Sequence, residues 1–325
     1  MKSLFDVLAT LVVIGWLTAA ASALADEPKR GPDDLVLRGD AQCTKCHDAG
    51  DLPKIMHIGK TKHGTTADGR TPTCTDCHGA SEGHLKGAAA GGQRPMPDVV
   101  FTRNKAIAPE LQTAACLACH KNDANRSHWA GSIHESRNVV CSNCHTVHAA
   151  KDPVLAKVTQ PEVCFACHKE QRAQVNRPSH HPVLEGKVAC SECHNPHGSI
   201  GPSLVKRDNI RDTCFQCHAE KRGPFVHNHQ PATEACTICH QPHGTVLESM
   251  LKLRPPFLCH QCHTPHGPFI PQVRGAQVAP PTTSAGIGKA TTNLTQGRGC
   301  LNCHTEVHGS NNPSATNPTP QFMLR

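Results

Sequence analysis

The chain has 325 residues, among them 20 cysteines, 25 histidines, 26 prolines and 25 glycines, with no tyrosine, 3% aromatic and 37% hydrophobic residues. That composition excludes an ordinary globular enzyme of this length, which would bury a large apolar core, and cysteine repeated at fixed spacing excludes general disorder despite the Pro and Gly content. The formal charge of +7 is scattered along the chain and lacks interleaved aromatic residues, which excludes a nucleic-acid interface.

Residues 1–25 have the form of a secretory signal: Lys2 near the start, an apolar run from Val7 to Ala21, and Ala23 and Ala25 framing a cleavage site before Asp26. No later stretch approaches the roughly 20 apolar residues that a spanning helix needs. The expectation is an exported, periplasmic chain that begins at Asp26 and has no membrane helix of its own.

All the cysteine then falls into ten C-x-x-C-H motifs, arranged as five pairs. The first pair holds Cys43, Cys46 and His47, then Cys74, Cys77 and His78, with His57 and His63 between the motifs and His84 after them. The second holds Cys116, Cys119 and His120, then Cys141, Cys144 and His145, with His128 and His134 between and His148 after. The third holds Cys164, Cys167 and His168, then Cys190, Cys193 and His194, with His180 and His181 between and His197 after. The fourth holds Cys214, Cys217 and His218, then Cys236, Cys239 and His240, with His227 and His229 between and His243 after. The fifth holds Cys259, Cys262 and His263, then Cys300, Cys303 and His304, with His266 between and His308 after.

Export permits disulfides, and C-x-x-C pairs also make zinc sites, but neither needs the histidine. The chance that all ten closing positions are His by composition is roughly one in 10¹¹, so the His belongs to the motif. Two thiols on one helical turn add to the vinyl groups of one haem, and the adjacent imidazole becomes the proximal iron ligand. Ten covalently attached haems c are expected.

Fifteen histidines remain after the ten proximal ones, enough to give every iron a second His. An iron closed in this way passes electrons, whereas an open one transforms substrates. By register, the distal set reads as His63, His84, His134, His148, His180, His197, His229, His243, His266 and His308. His180 is preferred to His181 because His-x-Pro recurs at His229, but His181 stays open, as does His227 against His229. A His three residues beyond a proximal one cannot easily reach round the porphyrin, so His148, His197, His243 and His266 are expected to ligate a neighbouring haem. His260, inside its own C-x-x-C loop, is the least plausible ligand. Met ligation would raise the potentials, and none of the five Met recurs at a repeated position.

Pairs starting at Cys43, Cys116, Cys164, Cys214 and Cys259 indicate a repeat architecture in which neighbours touch. Short helices are expected at each motif. The stretches 87–97 and 271–299 read as loops, and the tail from Gly309 reads as mobile. Two propionates per haem, against about one positive charge per ferric centre, would add roughly ten negative charges.

These motifs, with the phrases CHGASEGH, SHHPVLEGKVACSECHNPHG and CFQCHAEKRGPFVHNHQPATEACTICHQPHG, resemble the periplasmic decahaem cytochromes of the MtrA, PioA, MtoA and DmsE type over Cys43 to His308. The resemblance implies a mostly irregular, elongated chain with short α-helices whose core is a row of bis-His haems. It implies two pentahaem halves, 26–178 and 179–325. It also implies an electron wire seated in an outer-membrane β-barrel porin, joining periplasmic or inner-membrane cytochromes to the cell exterior, where an extracellular multihaem cytochrome can take part. The long segment between His266 and Cys300 departs from the pattern. A multihaem reductase of a small oxyanion, or an electron-storage cytochrome, is the alternative; the reductase requires an open iron, which the histidine supply argues against.

Overall fold

The computed structural model describes residues 40–47, 50, 53–64, 71–87, 92–101, 107–263, 301 and 304–311. The expected signal at 1–25, Cys300, Cys303, His266, the segment 271–299 and the tail after Asn311 lie outside the described residues.

Short helices and 3₁₀ turns joined by irregular chain make up the fold. The longest helix among the described residues, Pro109–His120, has 12 residues. Proline opens several helices, at Pro109, Pro161 and Pro231, where its fixed φ suits the first turn and its missing N–H costs nothing. The helix Cys74–His78 starts with a reciprocal cap: Thr73 accepts from the Asp76 N–H, and the Asp76 carboxylate accepts from the Thr73 N–H at 2.7 Å. A chain punctuated so often builds single turns, and the C-x-x-C-H motifs occupy them. Outside the helices Cys74–His78 and Pro109–His120, the His N–H of seven motifs donates to the carbonyl of the first Cys, from His47 on Cys43 at 3.0 Å to His263 on Cys259 at 2.9 Å.

The chain forms two compact units, one of Met1–Val100 with Val147–Ala150 and one of Phe101–Thr146 with Lys151–Arg325. In the first, Asp40 is 1% exposed and its Oδ1 accepts from the Cys74 N–H at 2.6 Å, which ties the two motifs of the first pair together. Ser81 and Asp98 exchange hydrogen bonds at 2.7 and 3.1 Å, fastening the irregular stretch before Val99 to the helix Glu82–Lys86.

In the second unit Gln160 plays the part of Asp40. Its Oε1 accepts from the Ser191 N–H at 2.9 Å, while its Nε2 donates to the Val154 carbonyl and to Ser191 Oγ. Among the described residues the buried apolar ones are few: Trp129, Val140, Phe165, Val175, Val183, Ala189 and Val205. Leu155, Val158, Val226, Val246 and Phe257 are exposed, so apolar side chains alone do not fill an interior. The boundary 178/179 falls inside this unit, and hydrogen bonds cross it, from Arg177 Nη1 to the Gly244 carbonyl at 3.4 Å and from His243 Nδ1 to Gln174 Oε1 at 3.2 Å. Contrary to the expectation of a tail mobile from Gly309, Gly309–Ser310 pairs antiparallel with His227–Asn228, and the Val226 N–H donates to Asn311 Oδ1 at 2.9 Å. Main-chain pairing, closed off by the Asn311 side chain, holds this short piece.

Candidate haem-binding sites

The motif turns place the described cysteines in a connected series. First cysteines meet within each pair: hydrogen bonds join the thiols of Cys43 and Cys74 in the first unit, and of Cys116 and Cys141, Cys164 and Cys190, and Cys214 and Cys236 in the second. Between pairs, Cys144 lies close enough to Cys164, Cys193 to Cys217, and Cys239 to Cys262 to interact electrostatically. Seven successive motifs, from Cys116 to Cys262, are linked in this way. The hydrogen bond from the partner thiol pulls Cys141 and Cys190 down to about 7 and Cys236 to about 6.

Each motif turn presents its His to a second His from elsewhere. Eight imidazole pairs face each other among the described residues, with ring centres 6.0 to 6.2 Å apart: His47 with His84 and His78 with His148 in the first unit, then His168 with His134, His145 with His197, His218 with His181, His194 with His243, His263 with His229 and His240 with His308. The planes differ in twist, from 7° for His47 and His84 to 71° for His134 and His168. Burial holds His47, His194, His197, His243 and His308 below the usual histidine pKa, which keeps the rings in the neutral form that binds a metal.

The pairing follows a rule that the sequence does not state. From the fourth motif on, the His after an even-numbered motif faces the proximal His two motifs upstream, as His197 faces His145, His243 faces His194 and His308 faces His240, whereas His84, after the second motif, faces His47 of the first. The His inside a motif pair faces the first proximal His of the next pair, as His134 faces His168 and His229 faces His263. The two sets are bound to each other. The Nδ1–H of His134 donates to the Pro196 carbonyl, that of His181 to Pro242 and that of His229 to Val307, each at 2.7 Å. Every acceptor is the residue just before a facing His: His197, His243 or His308. Every such His is followed by glycine, at Gly198 (φ +113), Gly244 (φ +141) and Gly309 (φ +131). A Cβ on Gly198 would sit 2.0 Å from the His128 carbonyl oxygen, and one on Gly244 would sit 2.4 Å from that of Gln174. The tripeptide X-His-Gly therefore serves two centres at once, one through its ring and one through its carbonyl.

The structure brings His181, and not His180, opposite His218. His180 instead donates from Nδ1 to the Arg177 carbonyl and from Nε2 to Glu185 at 3.1 Å, and these two partners raise its pKa. The decisive contact of His181 is the distant Pro242 carbonyl, which the local His-x-Pro phrase does not reveal. His63 sits on the turn Lys62–Gly64. His120 ends its helix with Nδ1 3.2 Å from Arg126 Nη2. The acceptor carbonyls of Pro95 for His84, Val99 for His78 and Ile55 for His148 were also absent from the sequence reading; a main-chain oxygen leaves no residue-type signal.

The residues fit haem. An imidazole nitrogen binds a first-row metal at about 2.0–2.1 Å and lies about 1.1 Å from its own ring centre, so two rings on opposite sides of one ion stand about 6.2–6.4 Å apart. With Nδ1 held by a carbonyl, Nε2 is the ligating atom. Among the described residues no three His, Cys, Asp or Glu side chains converge as a bare metal ion would need, whereas a porphyrin iron needs only the two axial ones. Trp129, 7% exposed, lies edge-on 6.4 Å from His197 with its indole N–H making no hydrogen bond, and a cavity of about 150 Å³ beside His308 is lined by three cations, Arg211, Lys221 and Arg222, against one acid, Asp212. Both suit a group that carries carboxylates.

Repeated C-x-x-C-H turns with opposed imidazoles define a multihaem c-type cytochrome, whose cysteines attach haem covalently. The doubled CXXCH motif family matches residues 180–223 and 229–268, and the cytochrome c-type protein NrfB-like family matches residues 74–158. The chain is 42% identical over 281 residues to the multiheme cytochrome MtrA of Shewanella baltica, covering 85% of this chain and 80% of that protein. It is 28% identical over 191 residues to the cytochrome c-type protein NrfB of Haemophilus influenzae, covering 50% of this chain and 82% of that protein. The chain belongs to the MtrA family of multihaem cytochromes, which are electron-transfer proteins and not enzymes.

Proposed function

We propose that the protein is a ten-haem, bis-His electron wire that carries charge between the periplasm and the cell exterior through an outer-membrane β-barrel porin. The observation that carries this reading is the linked series of motifs from Cys116 to Cys262, in which three X-His-Gly tripeptides tie the ring pairs two by two and contacts between first cysteines, as of Cys164 with Cys190 and Cys214 with Cys236, join these to one another. Haem held between such rings supplies one-electron iron chemistry and, through its faces, the apolar interior that the side chains lack. His84, His134, His148, His181, His197, His229, His243 and His308 close eight irons against substrate, with His181 taking the place first assigned to His180. His63 and His266 supply the remaining distal bonds, and Cys300 and Cys303 anchor the tenth haem. Trp129, Arg211, Lys221 and Arg222 hold propionates.

Ring pairs of this kind keep their ligands on a change of iron charge, so little reorganises and hopping is fast. The five-and-five division at 178/179 is a division of the haem series. The protein is periplasmic and associates with the outer membrane. Among the described residues no helix is long and apolar enough to cross a membrane. Cytochromes in the periplasm or inner membrane exchange electrons at one end, and an extracellular multihaem cytochrome or iron at the other.

The test is assembly with the porin. Co-purification from outer membranes with a β-barrel, and reduction of a dye sealed inside liposomes only when barrel and cytochrome are both present, support the wire. A chain found solely as an unpartnered periplasmic protein, with no transfer across such liposomes, contradicts it.

A further inference from the structure

In the fourth, sixth and eighth motifs the proximal His is steadied by the loop that follows it, and the three phrases CHTVHAAKDPVLAK, CHNPHGSIGPSLVK and CHQPHGTVLESMLK align without gaps. In two of them the acceptor is main chain. His194 Nδ1–H donates to the Ser203 carbonyl at 2.9 Å and His240 Nδ1–H to the Ser249 carbonyl at 2.7 Å. Both serines have positive φ, 53° and 55°, as the loop doubles back to pair Lys206 N–H with the Cys193 carbonyl and Lys252 N–H with that of Cys239.

The first of the three departs from this pattern. His145 Nδ1–H donates to the Asp152 carboxylate, Oδ2, at 2.7 Å. Asp152 Oδ1 accepts from the Thr146 N–H at 3.2 Å and from the Val154 N–H at 3.3 Å, so the carboxylate is fixed from both sides, and its side chain is only 15% exposed. Elsewhere among the described ring pairs His47 Nδ1 makes no hydrogen bond, and the Nδ1 acceptors of His78, His84, His134, His148, His181, His194, His229 and His240 are carbonyls, that of His243 the Gln174 amide oxygen at 3.2 Å. One other carboxylate approaches a proximal ring, Glu220 at 3.6 Å from His218 Nδ1, but the distance exceeds a hydrogen bond and both side chains are more than half exposed.

We propose that Asp152 is a positioning residue that makes the haem bound by Cys141, Cys144, His145 and His197 the most reducing of the series from His145 to His240. A carboxylate on Nδ1–H draws the ring towards imidazolate, raising its basicity and favouring the ferric state. A carbonyl does the same far less. The inference rests on the bis-His wire proposed above, and it places a step in potential at one site within the row.

The experiment is a spectroelectrochemical titration of the full-length holoprotein and of Asp152→Asn, in which the amide oxygen still accepts the hydrogen bond but the charge is gone, with Asp152→Glu and Glu220→Gln beside it. About one tenth of the absorbance change is expected to move from the low-potential end to higher potential in Asp152→Asn, to return in Asp152→Glu and to stay put in Glu220→Gln. Asp152→Asn and unmodified titrations that superimpose, with ten low-spin haems in each, overturn the proposal while leaving the wire intact. Fewer low-spin haems in the unmodified protein would strike the wire itself. If Asp152→Asn loads fewer haems, the ferric EPR spectrum of the unmodified holoprotein decides. One rhombic signal with reduced g anisotropy supports the assignment, and uniform rhombic signals refute it.

Discussion

Replacing Gly198 with alanine probes the two-centre role of the X-His-Gly tripeptide. The residue has φ +113, and an added Cβ would stand 2.0 Å from the His128 carbonyl oxygen and 2.6 Å from its carbon. A carbon and a carbonyl oxygen are comfortable at about 3.3 Å, so the two segments must part by more than about 1 Å. That movement carries Pro196 with it and stretches the 2.7 Å bond from His134 beyond hydrogen-bonding range. The backbone conformation costs about 1–3 kcal/mol and the lost bond about 0.5–1.5 kcal/mol. A destabilisation of about 2–4 kcal/mol lowers the melting temperature by about 5–15 °C. Thermal unfolding followed at the Soret band measures it, and low-temperature EPR reports whether His134 and His197 still bind. Gly131→Ala is the matched control: its φ is +80, but nothing lies within 4 Å of the new Cβ, so only the backbone cost of about 1–2 kcal/mol applies. A Gly198→Ala protein that melts within about 1 °C of the unmodified one, with unchanged EPR, would refute the argument.

Three further outcomes follow from the same geometry. His181→Met is expected to raise the potential of one haem while haem content stays near ten, whereas His180→Met leaves the titration unchanged; the reverse pattern would restore His180 as the ligand. In the ferric EPR spectrum, the pairs crossed at 48°, 54° and 71° are expected to give large-gmax signals, and the pairs within 26° ordinary rhombic ones; a spectrum of one type alone contradicts the ring orientations. Asp76→Ala removes half of the cap on Cys74–His78 and is expected to cost about 0.5–2 kcal/mol in denaturant unfolding, without loss of haem measured by mass spectrometry.

The short-helix character of the chain was legible because ten identical motifs leave little freedom: each is one turn, and Pro and Gly cut the chain between them. The identity of most facing histidines followed from their placement around each motif pair. Which ring meets which did not, because the partners lie one or two motifs away and their orientation is set by main-chain oxygens such as those of Pro196 and Pro242. His181 shows the consequence, since the adjacent His180 matches the local phrase equally well and only the tertiary contact separates them. Asp152 was legible in principle, as an acid in the one aligned phrase that lacks glycine after its facing His, at Ala149 in place of Gly198 and Gly244. Its meaning needed the distance to His145. The pairing of Gly309–Ser310 with His227–Asn228 is made by main-chain hydrogen bonds, with the Asn311 side chain fastening its end, and no residue pattern announces it.

The central claim is that every iron lies between two histidines. Near-infrared magnetic circular dichroism of the fully oxidised holoprotein, normalised to haem counted by mass spectrometry, measures it directly. The account predicts ten haems per chain, all low-spin with bis-His charge-transfer bands. A high-spin or Met-ligated component of about one haem in ten would contradict it.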